Sequence, residues 1–329
     1  MKVDYRQNGV FLPDIGLWLD AREPVAANWI SHAHSDHARA VHGQVFATPE
    51  TLALYQMRVD VDDSARTGLT PLAFGETIHF GPASLTAYPA AHIVGAAQLL
   101  VEYDGERLVY TGDIKLRPPL CGAVTATVPC DHLILESTFG LPVFAFLDRD
   151  EARRRIVQFA IDCLDDQAIP AFFGYPLGRG QEVVYALRQA GIPTVVHGAI
   201  ARFLPTYQQA GYDTAGWEPY EQPHGVKGKA LVVVPGMRNI LEASGRDVRI
   251  AYVSGWAALS NARQRSGAEH LIPYSDHGDF HELLAIVDHS GAQRVDVVHG
   301  YTDAFARILR QQRGLDARAV VHLQTESQD

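Results

Sequence analysis

In the run Ser31-His-Ala-His-Ser-Asp-His37, four side chains, His32, His34, Asp36 and His37, are of the kind that bind metal ions. They follow the apolar stretch Ala26-Ala-Asn-Trp-Ile30, which reads as a buried strand delivering the chain into a loop. Packing does not account for imidazoles and a carboxylate at this density. Neutral imidazole binds zinc through either ring nitrogen, and a carboxylate can hold a second ion. Alternation along an extended loop sends His32, His34 and Asp36 to one side, leaving His37 to reach a second metal position. Ligand types recur downstream: His92 in Tyr88-Pro-Ala-Ala-His-Ile-Val-Gly95, Asp113 in Leu108-Val-Tyr-Thr-Gly-Asp113, and His299 in Val295-Asp-Val-Val-His-Gly300. Asp113 and His299 each stand at a predicted strand end beside a glycine that lets the chain turn. Any fold for this chain must therefore converge several strand ends on one point, as a rigid sheet does when it holds a preorganised metal site.

The periodicity supplies such a fold. Val10–Leu12, Leu17–Leu19 and Ala26–Ile30 read as strands, then Thr77–Phe80, Ser84–Tyr88, Ala97–Tyr103, Leu108–Tyr110 and Leu133–Leu135. Tyr103-Asp-Gly-Glu106 has the form of a hairpin turn. From about Asp148 the pattern turns helical, over Glu151–Cys163, and then alternates. Ala171–Phe173, Thr194–Val196, Ala230–Val234 and Arg249–Val253 read as strands and Glu182–Ala190 as a helix. The end reads as helix Phe280–His289, strand Arg294–Val298, helix Thr302–Arg313 and strand Ala319–Leu323. This is an α/β (α+β) chain with a parallel sheet in its second part.

Composition narrows the function. A length of 329 residues suits one large domain or two, and 47% apolar with 20% charged residues is ordinary for a soluble globular protein. No apolar run is long enough to span a bilayer, and Met1-Lys-Val-Asp-Tyr5 lacks the apolar core of a signal peptide. Three cysteines, Cys121, Cys130 and Cys163, form no zinc or disulfide pattern and suit a cytoplasmic protein. A net charge of −10 argues against a generic nucleic-acid binder, but not against an enzyme that brings cations to phosphates. The Gly-rich loop Leu177–Gln181 lacks the Gly-Lys-Ser/Thr ending of a nucleotide phosphate loop.

The His-x-His-x-Asp-His run at 32–37, with His92 and Asp113 downstream, resembles the metallo-β-lactamase fold superfamily. The resemblance implies His32, His34 and His92 on one divalent ion and Asp36, His37 and His299 on a second, with Asp113 shared. Zinc, or alternatively manganese, is the implied metal. Asp20 resembles the family's early aspartate, which holds a ligand imidazole through its other N–H. Later motifs are similar to the β-CASP nucleases: Glu136-Ser-Thr-Phe-Gly140, Tyr175-Pro-Leu-Gly-Arg-Gly-Gln-Glu182, Ser275-Asp-His277 and Val298-His-Gly300. They imply a four-layer αββα sandwich from residues 1–145 and 268–329, an inserted β-CASP cap at 146–267, and an active site in the cleft they form. Thr111–Lys115, Cys130–Phe144, Ser254–Trp256, Tyr274–Asp279 and His299–Thr302 are similar to bacterial exonuclease-like proteins encoded beside ATP-dependent DNA ligases and large helicases.

That likeness implies phosphodiester hydrolysis on DNA single strands or ends in repair, with a ligase and a helicase as partners. Asp36, Asp113, Glu136 and His277 are the implied catalytic residues. His277 would be the general acid, Glu136 would orient it, and Lys115 and Arg179 would touch substrate phosphate. A histidine at 299 keeps RNA 3′-end processing open as an alternative, and a non-catalytic repair scaffold is a second.

Overall fold

A computed structural model describes residues 1–59, 68–221 and 225–320. They form two compact units, the first from Met1–Arg117, Ala123–Pro142 and His277 onward, the second from Pro118–Gly122 and Val143–Asp276.

In chain order the first unit opens with β1 (Asp4–Arg6), β2 (Gly9–Leu12), β3 (Leu17–Leu19), β4 (Ala27–Trp29), β5 (Gln44–Ala47), α1 (Pro49–Arg58) and β6 (Leu69–Pro71). It continues with β7 (Thr77–Phe80), β8 (Ala83–Pro89), β9 (Ala97–Tyr103), β10 (Glu106–Tyr110) and β11 (His132–Ser137). The second unit holds α2 (Arg149–Asp165), β12 (Ile169–Phe173), α3 (Arg179–Gln189), β13 (Thr194–Val196), α4 (Gly198–Ala201) and α5 (Leu204–Gln209). It goes on with β14 (Glu218–Pro219), β15 (Ala230–Val233), α6 (Arg238–Glu242), β16 (Val248–Val253), α7 (Ala262–Ser266) and β17 (His270–Ile272). The chain then returns with α8 (Phe280–Ser290), β18 (Arg294–Gly300), α9 (Thr302–Arg313) and β19 (Asp316–Ala319).

Two mixed sheets build the first unit. One runs β1 to β6 in order, antiparallel across its first three strands and parallel thereafter. The other runs β19-β18-β11-β10-β9-β8-β7, parallel from β19 to β10 and antiparallel from β10 to β7. Leu12, Leu17, Leu19 and Trp29 of the first sheet share a core with Leu85, Leu99, Leu108 and Ile134 of the second. Each fully buried side chain of this size contributes about 1.5–3 kcal/mol. On the other face of the first sheet, Ile30, Val45 and Ala47 meet Leu52 and Tyr55 of α1. α8 and α9 pack against β11, and α9 also against β18 and β19. The Asp-Gly turn joins β9 to β10 with both central residues at positive φ (51° and 77°), matching the right-handed twist of a two-residue hairpin.

The second unit has one all-parallel sheet, β14-β13-β15-β12-β16-β17. Its central strands β12, β13 and β15 are buried along their whole length, as a sheet covered by helices requires. Phe172, Val232 and Ala251 face α2 and α3 on one side, and Phe173, Val195 and Val233 pack toward Leu241 of α6 on the other.

Two boundaries differ from expectation. β17 pairs with β16, so the return to the first unit comes at His277 rather than at 268. The last strand forms at Asp316–Ala319, where Ala317 pairs with Val295; the rest of the expected Ala319–Leu323 strand lies, from 321 on, outside the described residues.

Within the second sheet, on β18, Asp296 is fully buried and accepts from Tyr5 Oη, His132 Nε2 (2.7 Å) and Arg318 Nη2 (2.9 Å). Burial works to raise this carboxyl, but His132, Arg318 and Tyr5 together hold it well below the ordinary aspartate value of 3.8. Because the folded value lies below the unfolded one, its stabilisation is complete above the ordinary range and drains away as pH falls through and below it. Asp296→Asn should therefore cost about 3 kcal/mol at neutral pH, the scale of an orphaned buried pair. It should also flatten the acid limb of a urea-stability profile, and an unchanged limb would refute the role.

Candidate metal centre

The site is assembled on strand ends of the first unit. β3 is followed directly by Asp20, which adopts φ 50°, a left-handed conformation that a short carboxylate tolerates. Its Oδ1 accepts from Ser31 N (2.7 Å), and its Oδ2 accepts from Ser31 Oγ (2.6 Å), His37 Nδ1 (2.7 Å) and Tyr110 Oη (2.8 Å). The Ser31 hydroxyl, having given its hydrogen to Asp20, accepts in turn from His32 Nδ1 at 3.0 Å. One carboxylate thus fixes two imidazoles in the same tautomer, N–H toward the support and Nε2 lone pair toward the site. Gly112 completes the support. At φ 54° it lies so near Ser31 that an added Cβ would fall 2.5 Å from Oγ.

His34 Nδ1 stands 3.1 Å from His32 Nε2 and 3.0 Å from His92 Nε2. Asp113 Oδ2 lies 3.3 Å from His32 Nε2 and 3.5 Å from His92 Nε2. Hydrogen bonds do not satisfy this arrangement, because His34 Nδ1 has one proton or one lone pair and two imidazole neighbours. A tetrahedral zinc with bonds of 2.0–2.1 Å spaces its ligand atoms about 3.3–3.4 Å apart, and these four buried residues fit that spacing.

Electrostatics agree. Burial, with His37 and His92 adding to it, lowers His32 well below its usual range, which keeps the ring neutral. Burial works the same way on His37, but Asp113, Asp36 and Asp20 outweigh it and push that imidazole up to about 10. Burial lifts Asp113 to about 7 against the pull of His37 and His277. On their own the carboxylates hold His37 as an imidazolium, and a divalent cation bound there would take over that proton's place and free the Nε2 lone pair.

The expected second set is brought together less tightly. After His34 the loop closes into a turn, with His37 N and Ala38 N bonding to His34 O (3.1 and 2.8 Å). Alternation therefore stops at His34. Asp36 turns outward, its side chain 45% exposed, and His37 is carried back toward Asp20. His37 Nε2 lies 3.6 Å from both Asp36 Oδ2 and Asp113 Oδ2. The His299 ring centres 5.5 Å from that of His37. Among the described residues the second close donor set joins Asp113 with Glu136 and His277. Glu136, fully buried, accepts from Ile114 N (3.0 Å), Thr138 N (3.0 Å) and His277 Nδ1 (2.9 Å). Burial works to raise Glu136, but His277 and these donors hold it below the ordinary range.

The two residues expected to touch phosphate are both buried. Lys115 has no exposed surface, and Arg179, 3% exposed, lies in the second unit with its Nη1 3.7 Å from Asp276 Oδ2. Neither presents its charge to solvent; each arginine or lysine of a motif shows its residue type, not its direction. Ser31 and Tyr110 were not anticipated, although a hydroxyl flanking His32 and a strand tyrosine three positions before Asp113 were visible signals.

Asp20→Ala should lower zinc affinity about 10–100-fold, the usual effect of losing an imidazole's outer partner. Competition with a chromophoric chelator measures this, and affinity unchanged in a folded variant would contradict it.

No family model matches the chain. It is 34% identical over 319 residues to a probable DNA ligase of Opitutus terrae, covering 95% of this chain and 30% of that protein. It is 28% identical over 193 residues to the endoribonuclease ysh-1 of Neurospora crassa, covering 48% of this chain and 22% of that one. The chain spans less than a third of the length of either relative. A crystal structure of a protein of unknown function from Enterococcus faecalis V583 shares the fold, with TM-score 0.58 and 14% identity over 89% of this chain and 78% of that one.

Proposed function

We propose that this chain, which belongs to the β-CASP branch of the metallo-β-lactamase fold, hydrolyses phosphodiester bonds of nucleic acid with the help of two divalent metal ions. In this reading the first unit is the αββα sandwich and the second the β-CASP cap. The observation that carries it is the convergence of His32, His34, His92 and Asp113 beside the paired Glu136 and His277. His32, His34, His92 and Asp113 would hold one ion, zinc or manganese. Asp36, His37 and His299, with Asp113 shared, would hold the other. Such ions, when bound, polarise a phosphodiester and acidify water. Glu136 fixes the His277 ring through Nδ1, which leaves Nε2 to give a proton to the departing oxygen.

Within that class we assign DNA exonuclease action on single strands or ends in cytoplasmic repair, with an ATP-dependent ligase and a helicase as partners. The support is the match of 95% of the chain to part of a protein named a probable DNA ligase. RNA is the second reading, favoured by His299 and by the relative named an endoribonuclease. A time course on matched end-labelled single-stranded DNA and RNA, with zinc or manganese and an Asp113→Ala control, decides between them. Stepwise shortening of DNA alone supports the exonuclease, and preference for RNA selects the second reading. Failure of the metal-loaded protein to cut either would overturn the nuclease proposal. No helix among the described residues is long and apolar enough to cross a membrane.

A further inference from the structure

We infer that an open cleft on the first unit, lined by Arg6, Trp18, Arg22, Glu23 and Arg39, is a track for the sugar-phosphate backbone of a single nucleic-acid strand. This inference rests on the phosphodiesterase reading above and adds to it where the rest of the substrate lies. The cleft has a volume of about 780 Å³ and also borders Gln7 and Asn8 of the β1–β2 turn. Arg22 belongs to two cavities at once: this one, and the smaller one lined by Asp20, Asp36, His37 and His299. Arg22 thus borders both the cleft and the small cavity beside the candidate metal centre.

The cleft is built rather than incidental. Asn8 pins the segment that carries Arg22, accepting Arg22 N at its backbone oxygen (2.9 Å) and Glu23 N at Oδ1 (2.6 Å). The Arg6 guanidinium lies over the rings of Phe11 (4.5 Å) and Trp18 (5.4 Å), which are tilted together with centroids 4.7 Å apart. Arg6 also pairs with Asp4 at 2.8 Å, both side chains being nearly half exposed. Arg39 is exposed and has no ion pair among the described residues. Three arginines and one acid, Glu23, line the cleft, with Asp4 paired to Arg6 beside it, in a chain of net charge −10. Charge of that sign concentrated beside the site complements phosphate, which a guanidinium grips with two parallel hydrogen bonds. Aromatic rings flanked by arginine are how sequence-tolerant single-strand grooves seat bases.

The test uses the zinc-loaded full chain and the double variant Arg6→Glu/Arg39→Glu, with a thermal melt to confirm folding. Fluorescence anisotropy follows labelled oligo(dT) and oligo(U) over a range of salt concentrations. Hydrolysis of bis(p-nitrophenyl) phosphate, a diester with no strand attached, reports on the metal centre separately. Binding should weaken at least about tenfold, and the slope of log affinity against log salt should shrink by about 1.4, for two single-strand phosphate contacts removed. The ratio of oligonucleotide to small-diester cleavage should fall by the same factor, and Arg6→Lys/Arg39→Lys, which keeps the charge but not the fork, should restore the salt slope and part of the binding. Unchanged binding and slope, or polyglutamate bound as tightly as oligonucleotide, would overturn the cleft. If wild type fails on the small diester, the hydrolase reading falls, while the anisotropy comparison still decides the cleft.

Discussion

Asp113→Ala should lose both bound metal and phosphodiesterase activity. The Asp113 Oδ2 atom is within 3.3 to 3.6 Å of the Nε2 atoms of His32, His92 and His37. This single carboxylate oxygen is shared by all three imidazoles. Removing it leaves several buried rings facing one another with less negative charge to compensate a divalent ion. The expected loss in rate is at least about 10³-fold, the upper end of what removing one preorganised electrostatic group costs. Asp113→Asn separates charge from shape, since the amide keeps the volume and should keep the fold but lose the metal. The measurement is metal content after dialysis, beside the rate on bis(p-nitrophenyl) phosphate. A variant that kept its full metal content and lost only activity would remove Asp113 from the ligand set and make it a base instead.

Much of this site was readable before any coordinates, and the reasons differ by residue. His32, His34, His92 and Asp113 announce themselves because a cluster of imidazoles has few other uses, and a glycine beside a strand end shows where the backbone must turn. The strands with strong periodicity, such as Ala97–Tyr103, lie where expected. α1 was missed although its signature was present, with Thr48 capping Thr51 N and Pro49 at the first turn. Its apolar face is short, so periodicity was weak while capping was strong. β17 was missed because three residues at a sheet edge carry too little pattern. Direction was the hardest property to read. Lys115 and Arg179 have the right chemistry in the right motifs, yet both are buried. The cleft arginines are scattered at 6, 22 and 39 among unremarkable neighbours; the pairing of β1, β2 and β3 brings Arg6 to Trp18, and the Asn8 carbonyl, bound to Arg22 N, brings in Arg22. A set of residues assembled by strand pairing leaves no local trace in sequence.

His277→Ala, in contrast to Asp113→Ala, should slow the proposed hydrolysis while leaving metal binding intact, and the loss should depend on the leaving group. His277 is held through Nδ1 by Glu136 at 2.9 Å, and its ring centres 4.7 Å from that of His92. A side chain so placed serves either as proton donor or as an additional ligand beside Asp113, and the two roles predict different kinetics. As a donor it matters in proportion to how badly the departing oxygen needs a proton. With an oligonucleotide the leaving group is a sugar alkoxide, and the loss in kcat should be about 10²–10⁴-fold, the usual contribution of general acid catalysis. With bis(p-nitrophenyl) phosphate the nitrophenolate departs without help, so the same variant should lose little. Glu136→Gln should follow the same pattern with a smaller effect, because it removes the partner that fixes the ring but leaves the imidazole. As a ligand, His277 would instead cost both substrates equally and lower the metal content as well. Equal losses on both substrates would therefore move His277 from the acid to the ligand set, with Asp113 and Glu136 as its neighbours there.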